Sequence, residues 1–313
     1  MPRCDEIDRR LIARLVEDVR TSSKQLAAAT GMSESTVANR LRRLREERLL
    51  TATVLVDWQL AGYAASGFAF LRVEGGSARV AERLAGHPEV KSVVRTSGTS
   101  DVVVHVLCEN AGRIRAVADE IGDIPGAASV SLAMVTEFHR IESRTIMLPV
   151  ARWKPADLPH PALALDELDA RLIEALSEDA HQSNREVARR LEVNESTIRG
   201  RLRRLEDCGF LRVVAMADPF VLGEAAGGYV GITARGSARV DVVKALLARA
   251  DVPALASAIG TYDLVAFLVD RSVAQLAAAA DEIRSIRGIR SVDVSLLTHS
   301  VFHRAHLTRL LRA

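Results

Sequence analysis

Three sets of residues in this chain have types and spacings that could do chemistry. The first is the decapeptide STVANRLRRL, Ser35 to Leu44, which returns as STIRGRLRRL, Ser196 to Leu205, with seven of ten residues identical. Hydroxyls at Ser35 and Thr36, the amide of Asn39 and the guanidiniums of Arg42 and Arg43 are groups that contact base edges and phosphates from a helix in the major groove. Their counterparts are Ser196, Thr197, Arg199, Gly200, Arg203 and Arg204. The second set is a pair of short loops, Gly98-Thr99-Ser100-Asp101 and Gly260-Thr261-Tyr262-Asp263, in which a carboxylate and free backbone groups could meet an α-amino group. A tight turn that needs Gly, with Asp bonding nearby N–H groups, is the other reading of the same four residues. The third is His299, His303 and His306, whose i, i+4, i+7 spacing would suit zinc on one helix face. The first half of the chain offers only His139 in that region, no HExxH occurs, and the residues before His299 read as a strand, so no bound metal is expected. No Ser/His/Asp pattern, nucleophile elbow, GxGxxG or P-loop appears either, and the chain reads as a non-enzyme without a cofactor.

The elements that must hold these residues follow from periodicity. Val37, Leu41 and Leu44 share one side of a helix, with Ser35, Asn39, Arg42 and Arg43 opposite. Ahead of it, Asp5 to Val19 has the apolar stripe of an amphipathic helix, and Ser23 can cap a second helix that stops at Gly31. Ser33 can cap the third, which runs to about Glu47. Three short helices with a Gly turn before the last make the helix-turn-helix outline, and LLTATVLVD after it reads as a hairpin arm or wing. Downstream the period changes to two. GFAFLRV, VKSVVRT, DVVVHVL and SVSLAMV read as strands, with helices at SARVAERLAG and RIRAVADEIG. That β-α-β-β-α-β order predicts a ferredoxin-like sandwich, a small sheet with two helices on one face.

All of this occurs twice. CDEIDRRLIARL matches LDELDARLIEAL at an offset of 161 residues, GSARV returns at 160, and GTSDVVVHV returns as GTYDLVAFL at 162. The fold class is therefore α+β in tandem: helix-turn-helix domains at 1–57 and 165–218, and βαββαβ ligand-sensing and oligomerisation domains at 62–142 and 223–305. Residues 143–164 hold four of the nine prolines and read as a linker.

Composition bounds the rest. The 313 residues are 48% hydrophobic without a run of eighteen apolar residues, and charges at the start stand where a signal peptide needs its apolar region. A cytoplasmic, nucleoid-associated protein with no membrane partner is expected. Cys4, Cys108 and Cys208 lie far apart and form neither a disulfide framework nor a zinc ribbon. With a net charge of only +2, any basic signal is local, and since just four of the 42 basic residues are Lys, arginine richness by itself carries little weight.

The order LDELD, REVARRLEVNESTIRGRLRRLEDCGFL, DPFVLG and then a βαββαβ domain with a Gly-Thr-Tyr-Asp loop resembles the leucine-responsive regulatory protein (Lrp/AsnC) family of prokaryotic transcription regulators. The resemblance covers nearly all of both copies. It implies a regulator that binds double-stranded DNA, responds to an amino acid or related small molecule, and assembles as a homo-oligomer through its βαββαβ (RAM) domains, with the effector held between them. Usual members are one copy long, so this chain resembles a tandem fusion.

The copies differ where they would read DNA. Ala38 and Asn39 face Arg199 and Gly200, and since Asn can pair bidentately with adenine while Gly reads nothing, related but unequal half-sites about one helical turn apart are expected. Arg48 stands where the second copy has Gly209, so the first recognition helix should end differently. Tyr262 against Ser100 favours the second loop as the effector site. A nucleoid-type architectural protein, wrapping DNA through phosphate contacts with little sequence preference, is the alternative function.

Overall fold

The computed structural model describes residues 4–19, 21–47, 49–56, 61–141, 165–180, 182–216 and 226–303. The Pro-rich stretch read as a linker, Arg48 and His306 lie outside the described residues. The chain divides into two compact units, one holding both helix-turn-helix copies and one holding both βαββαβ copies.

In the first unit, helices α1 (Glu6–Glu17), α2 (Ser23–Thr30) and α3 (Glu34–Glu46) precede strand β1 (Thr51–Val56). Asp5 caps α1 in a reciprocal box with Asp8. The cap of α2 is Ser22, one residue before the expected Ser23, because Gln25 completes the box from its N3 position. Gly31 ends α2 at φ +72°, and Ser33 caps α3. The second copy repeats the arrangement as α6 (Glu167–Glu178), α7 (Asn184–Leu191), α8 (Glu195–Asp207) and β6 (Leu211–Met216). Its turn after α7 sets Glu192, a non-glycine, at φ +59°, and Gly209 follows α8 at φ +72°.

The expected wing is not a hairpin. β1 and β6 pair with each other, antiparallel, in a two-stranded sheet. An isolated arm would leave its backbone groups unpaired, and its counterpart supplies the partners. Thr53 lies opposite its own counterpart, Val214, so the ribbon is symmetric about that pair. α6 then packs on β1 and α1 on β6, with Ala180 N–H donating to Ala52 O at 3.1 Å and Thr53 Oγ1 to Ser177 O at 3.1 Å. The two heads form one body with a shared ribbon.

In the second unit each copy follows the β-α-β-β-α-β order: β2 (Ala65–Val73), α4 (Ser77–Ala85), β3 (Val90–Gly98), β4 (Val102–Cys108), α5 (Ala111–Gly122) and β5 (Ala127–Ile141), then β7 (Ala226–Ala234), α9 (Arg239–Leu247), β8 (Ala254–Gly260), β9 (Leu264–Asp270), α10 (Val273–Arg284) and β10 (Ile289–His303). The sheets are not separate. They close into one eight-stranded barrel in the order β10-β3-β4-β2-β5-β8-β9-β7. The last strands make the closure, because β5 and β10 are each 15 residues long and run on past their own sheets to pair with β8 and β3. Sequence reading stopped them near Val135 and Leu297, since the charged and aromatic extension TEFHRI does not look like a strand covered by helices.

Each sheet buries one face under its two helices, around Val80, Leu84, Val104 and Ile114 in the first copy and Val242, Leu246, Leu255 and Leu276 in the second. Alternate residues turn to the other face, where Phe68 stacks on His105 and is tilted against Tyr229, whose ring meets Phe267 edge-on. Burial, with Lys91 beside it, pushes the His105 imidazole down to about 3, so the ring is neutral and hydrogen-bonds Ser66 Oγ at 2.8 Å through Nε2.

The repeated pentapeptide GSARV is not one structural element. In the first copy it opens α4 directly, whereas in the second Gly236–Ala238 form a 3-10 turn ahead of α9. The buried positions, Val80 and Leu84 against Val242 and Leu246, match at an offset of 162. Val240, which the sequence aligns with buried Val80, is 66% exposed. The histidine spacing dissolves in the same way. His299 is exposed on β10 rather than on a helix, and among the described residues no His, Cys, Asp or Glu cluster could hold a metal.

Candidate functional site

α3 buries Val37, Leu41 and Leu44 and leaves Ser35, Thr36, Ala38, Asn39 and Arg42 exposed. At its start the Ser33 hydroxyl accepts from Thr36 N–H at 3.2 Å and lies 2.9 and 2.8 Å from the hydroxyls of Ser35 and Thr36, so three hydroxyls cluster at the positive end of the helix. One turn on, Arg42 donates to the Asn39 side-chain oxygen at 2.8 Å, which joins an amide and a guanidinium in one outward group. The second face is built differently. Ser196 is exposed and Thr197 half-buried, Arg199 pairs with Glu195 at 2.5 Å, and nothing lies within 4 Å of a Cβ placed on Gly200. Arg203 is exposed, its nearest carboxylate being Asp207 at 3.9 Å.

Arg43 and Arg204 stay partly exposed, at 41% and 46%, and carry an inward bond that the outward reading did not include. Each donates inward to a fully buried carboxylate, Arg43 to Asp8 and Arg204 to Asp169. Arg40 and Arg201 join the same anchors: Arg40 reaches Asp5 at 2.6 Å and Asp8 at 2.9 Å, and Arg201 reaches Asp166 at 2.6 Å and Asp169 at 2.9 Å. A buried carboxylate is costly unless paired and hydrogen-bonded, and two arginines one turn apart satisfy it. Asp8 N–H, with Arg40 behind it, holds the Asp5 carboxyl below its ordinary range, and Arg201 does the same for Asp166. The network ties the recognition helix to the first helix and so fixes the angle of the outward face. Sequence reading missed Asp8, Arg40 and their counterparts. The available signal was charge kept at identical positions in both copies, on the side of the helix where apolar residues were expected.

The two loops are also occupied. Asp101 accepts from Val73 N–H at 3.0 Å and from Arg72 at 3.1 Å, and Asp263 accepts from Ala234 N–H at 2.8 Å and from Arg239 at 2.6 Å. Each carboxylate thus closes its own copy, the turn-like arrangement, with a guanidinium from a different element in each case. Thr99 N–H donates to Val294 O at 3.0 Å and Thr261 N–H to Leu132 O at 2.9 Å, so each loop docks on the last strand of the other copy. Gly98 and Gly260, at φ +125° and +122°, lie so close that a Cβ would overlap those same carbonyl oxygens. Tyr262 is buried rather than open, with its hydroxyl on Asp293 at 3.0 Å and its ring edge-on to Phe70. Thr99 and Thr261 keep exposed side chains.

Comparison with known proteins accords with this geometry. Residues 5–45 and 165–206 each match the AsnC-type helix-turn-helix domain, and residues 66–144 match the Lrp/AsnC ligand binding domain. The chain is similar to the HTH-type transcriptional regulator FL11 of Pyrococcus horikoshii, 32% identical over 148 residues that cover 47% of this chain and 96% of the relative. It is also similar to the HTH-type transcriptional regulator Rv2324 of Mycobacterium tuberculosis, at 28% over 124 residues, covering 39% and 84%. Among solved structures, the siroheme decarboxylase NirDL shares the fold over 98% of this chain and 96% of that one, with a TM-score of 0.61 and 14% identity. No helix of the described residues is long and apolar enough to cross a membrane. A helix-turn-helix domain carried twice, a ligand-binding domain and a relative matched over nearly its whole length place this chain in the Lrp/AsnC family of transcriptional regulators.

Proposed function

We propose that the chain is a sequence-specific regulator in which two unlike helix-turn-helix heads read one DNA duplex and two βαββαβ domains, over roughly 62–142 and 223–305, respond to an amino acid or related small molecule. The observation that carries this reading is the repeated recognition helix: hydroxyls at its start, arginine beyond, and a buried Asp holding the whole face at one angle. Ser35, Thr36, Asn39 and Arg42 form the first reader, and Ser196, Thr197, Arg199 and Arg203 the second. Arg43 and Arg204 act mainly by positioning. The ribbon of β1 and β6 relates the heads as a twofold axis relates the halves of a palindrome, which supports an inverted repeat as the target.

The effector would enter at Gly98-Thr99-Asp101 or Gly260-Thr261-Tyr262-Asp263. Because each loop is bonded to the other copy, a ligand that competes for those bonds would act on the seam between copies. Because both carboxylates already hold an arginine, an α-amino group would share them with Arg72 or Arg239 or compete for the same oxygens. The reading is of a non-catalytic, cytoplasmic protein, and the likeness to a siroheme decarboxylase is one of fold, so purified protein should leave siroheme unconverted.

The test is a nuclease footprint on the DNA upstream of the gene, with and without a pool of common amino acids. A bounded footprint that shifts with the pool is the expected result. Featureless protection at high protein concentration, unchanged by the pool, would replace this reading with an architectural one.

A further inference from the structure

The barrel is closed by two strand pairs that are counterparts of each other, β5 with β8 and β10 with β3. Ala133 opposite Gly260 matches Ser295 opposite Gly98, each shifted by 162 residues. A seam between two identical sandwiches would make every contact twice, once on each side. This seam makes several of them once.

Ser100 Oγ lies 2.5 Å from Ser295 Oγ, whereas the counterpart positions hold Tyr262 and Ala133, which cannot form that bond. The buried phenol of Tyr229 is hydrogen-bonded to Ser92 across the seam, and its counterpart pair is Phe68 and Ala254. Arg140 closes the C-terminal end of α9 by donating to the carbonyl oxygens of Arg249 at 2.8 Å and Val252 at 3.0 Å, and the residue at its counterpart position is Phe302, which has no donor to offer. Aromatic volume is exchanged as well. Phe70 meets Tyr262 with ring centroids 5.0 Å apart, while their counterparts are Gly231 and Ser100. The Tyr262 ring fills the space that a Cβ on Gly231 would take.

We propose that this seam selects unlike copies, so that each barrel contains one first copy and one second copy and like copies of two chains do not pair through it. Two first copies would set the buried Ser92 hydroxyl against Phe68. Two second copies would set the Tyr229 hydroxyl against Ala254 and Tyr262 against a bare glycine. Each wrong pairing buries a hydroxyl without a partner, and the second also opens a void. The right pairing satisfies all of them, which is how an interface gains selectivity through the penalties of its alternatives. The inference rests on the seam alone and does not depend on what the heads bind.

Cysteine crosslinking in the full-length protein tests it. Under mild oxidation, Ser100→Cys with Ser295→Cys should close a disulfide within single chains, read as a mobility shift at the mass of one chain and as a joined peptide by mass spectrometry. Ser100→Cys with Ala133→Cys reports pairing of two first copies, because only then do those positions meet between chains, and should give no more than a trace of linked two-chain species. Adding Tyr229→Phe and Ser92→Ala to that second variant removes one of the penalties and should raise the two-chain fraction severalfold. The proposal is overturned if the second variant links chains as efficiently as the first variant closes within one. It is equally overturned if the first variant, folded by circular dichroism, forms no disulfide between positions 100 and 295.

Discussion

Copies one and two of this chain have diverged in different places in the two units, and the contrast is informative. In the helix-turn-helix unit the scaffold is held constant: Asp8 with Arg40 and Arg43 is reproduced, contact for contact, by Asp169 with Arg201 and Arg204. The change lies on the outward face, where Asn39 bonded to Arg42 is replaced by a bare Gly200. In the barrel the loop glycines and the docking bonds of Thr99 and Thr261 are constant, and the change lies inside the seam, where Ser and Phe meet Tyr and Gly. One unit varies what it presents and the other varies how it fits itself. Divergence on an outward face costs little stability and alters what is read, whereas divergence in a seam survives only when both sides change together.

The largest effect should come from the loops that both copies share. Gly98→Ala or Gly260→Ala adds a Cβ onto a carbonyl oxygen at a backbone angle that disfavours it, and should cost about 3 kcal/mol or more in urea unfolding of the barrel. Equal losses at the two sites would sustain the comparison, and a loss at one alone would show that only one loop carries the seam.

His105 sharpens it, since the second copy has Phe267 in that position. Its imidazole titrates near 3 when folded and near 6.5 when unfolded, so the unfolded chain takes up the proton first and stability drains away as pH falls below about 6. At pH 5 the loss should be about 2 kcal/mol, and His105→Phe should remove it. Between pH 6 and 4 the two proteins should therefore diverge. Below that, carboxylates such as Asp5 and Asp166, held low in the folded state, lose stability in both.

On the reader, exchanging Asn39→Gly and Gly200→Asn together should swap the preferred base at one position of each half-site, a change of roughly 1–3 kcal/mol by competitive binding to mirrored operators. If both half-sites keep their sequences, the outward difference between the copies is not what reads the bases. The smallest effect separates neighbours on one helix. Arg42→Ala should weaken DNA binding by about 1 kcal/mol and reduce its salt dependence, while Arg43→Ala should appear mainly as lost stability of about 1 kcal/mol. Equal loss of binding from both would return Arg43 to the DNA-facing group.

Local pattern made much of this legible. The cap at Ser33, the stop at Gly31, the βαββαβ order and the outward positions of Ser35, Asn39 and Arg42 all follow from spacing, because each is decided within one or two turns of chain. What spacing could not reach were the pairings over 100 residues or more: β1 with β6, and β5 and β10 running past their own sheets into the other copy. The inward bond of Arg43 escaped for a related reason, since a helical wheel assigns the residue a side but cannot know that a buried Asp from another helix waits there. GSARV shows the limit of identity itself. Five matching residues start a helix in one copy and a 3-10 turn in the other, and the buried positions, not the letters, give the true alignment.

Closing the barrel within one polypeptide changes the arithmetic of mutation. In a barrel made from two identical chains, any substitution at the seam occurs twice and faces itself across the axis, so a residue that fits only a different neighbour is excluded at once. Here a substitution at Tyr262 or Arg140 occurs once and meets a position with its own separate codon. Each copy can then become specialised as the complement of the other, and every such step makes the fusion harder to undo. The two halves are then parts shaped to fit each other rather than themselves.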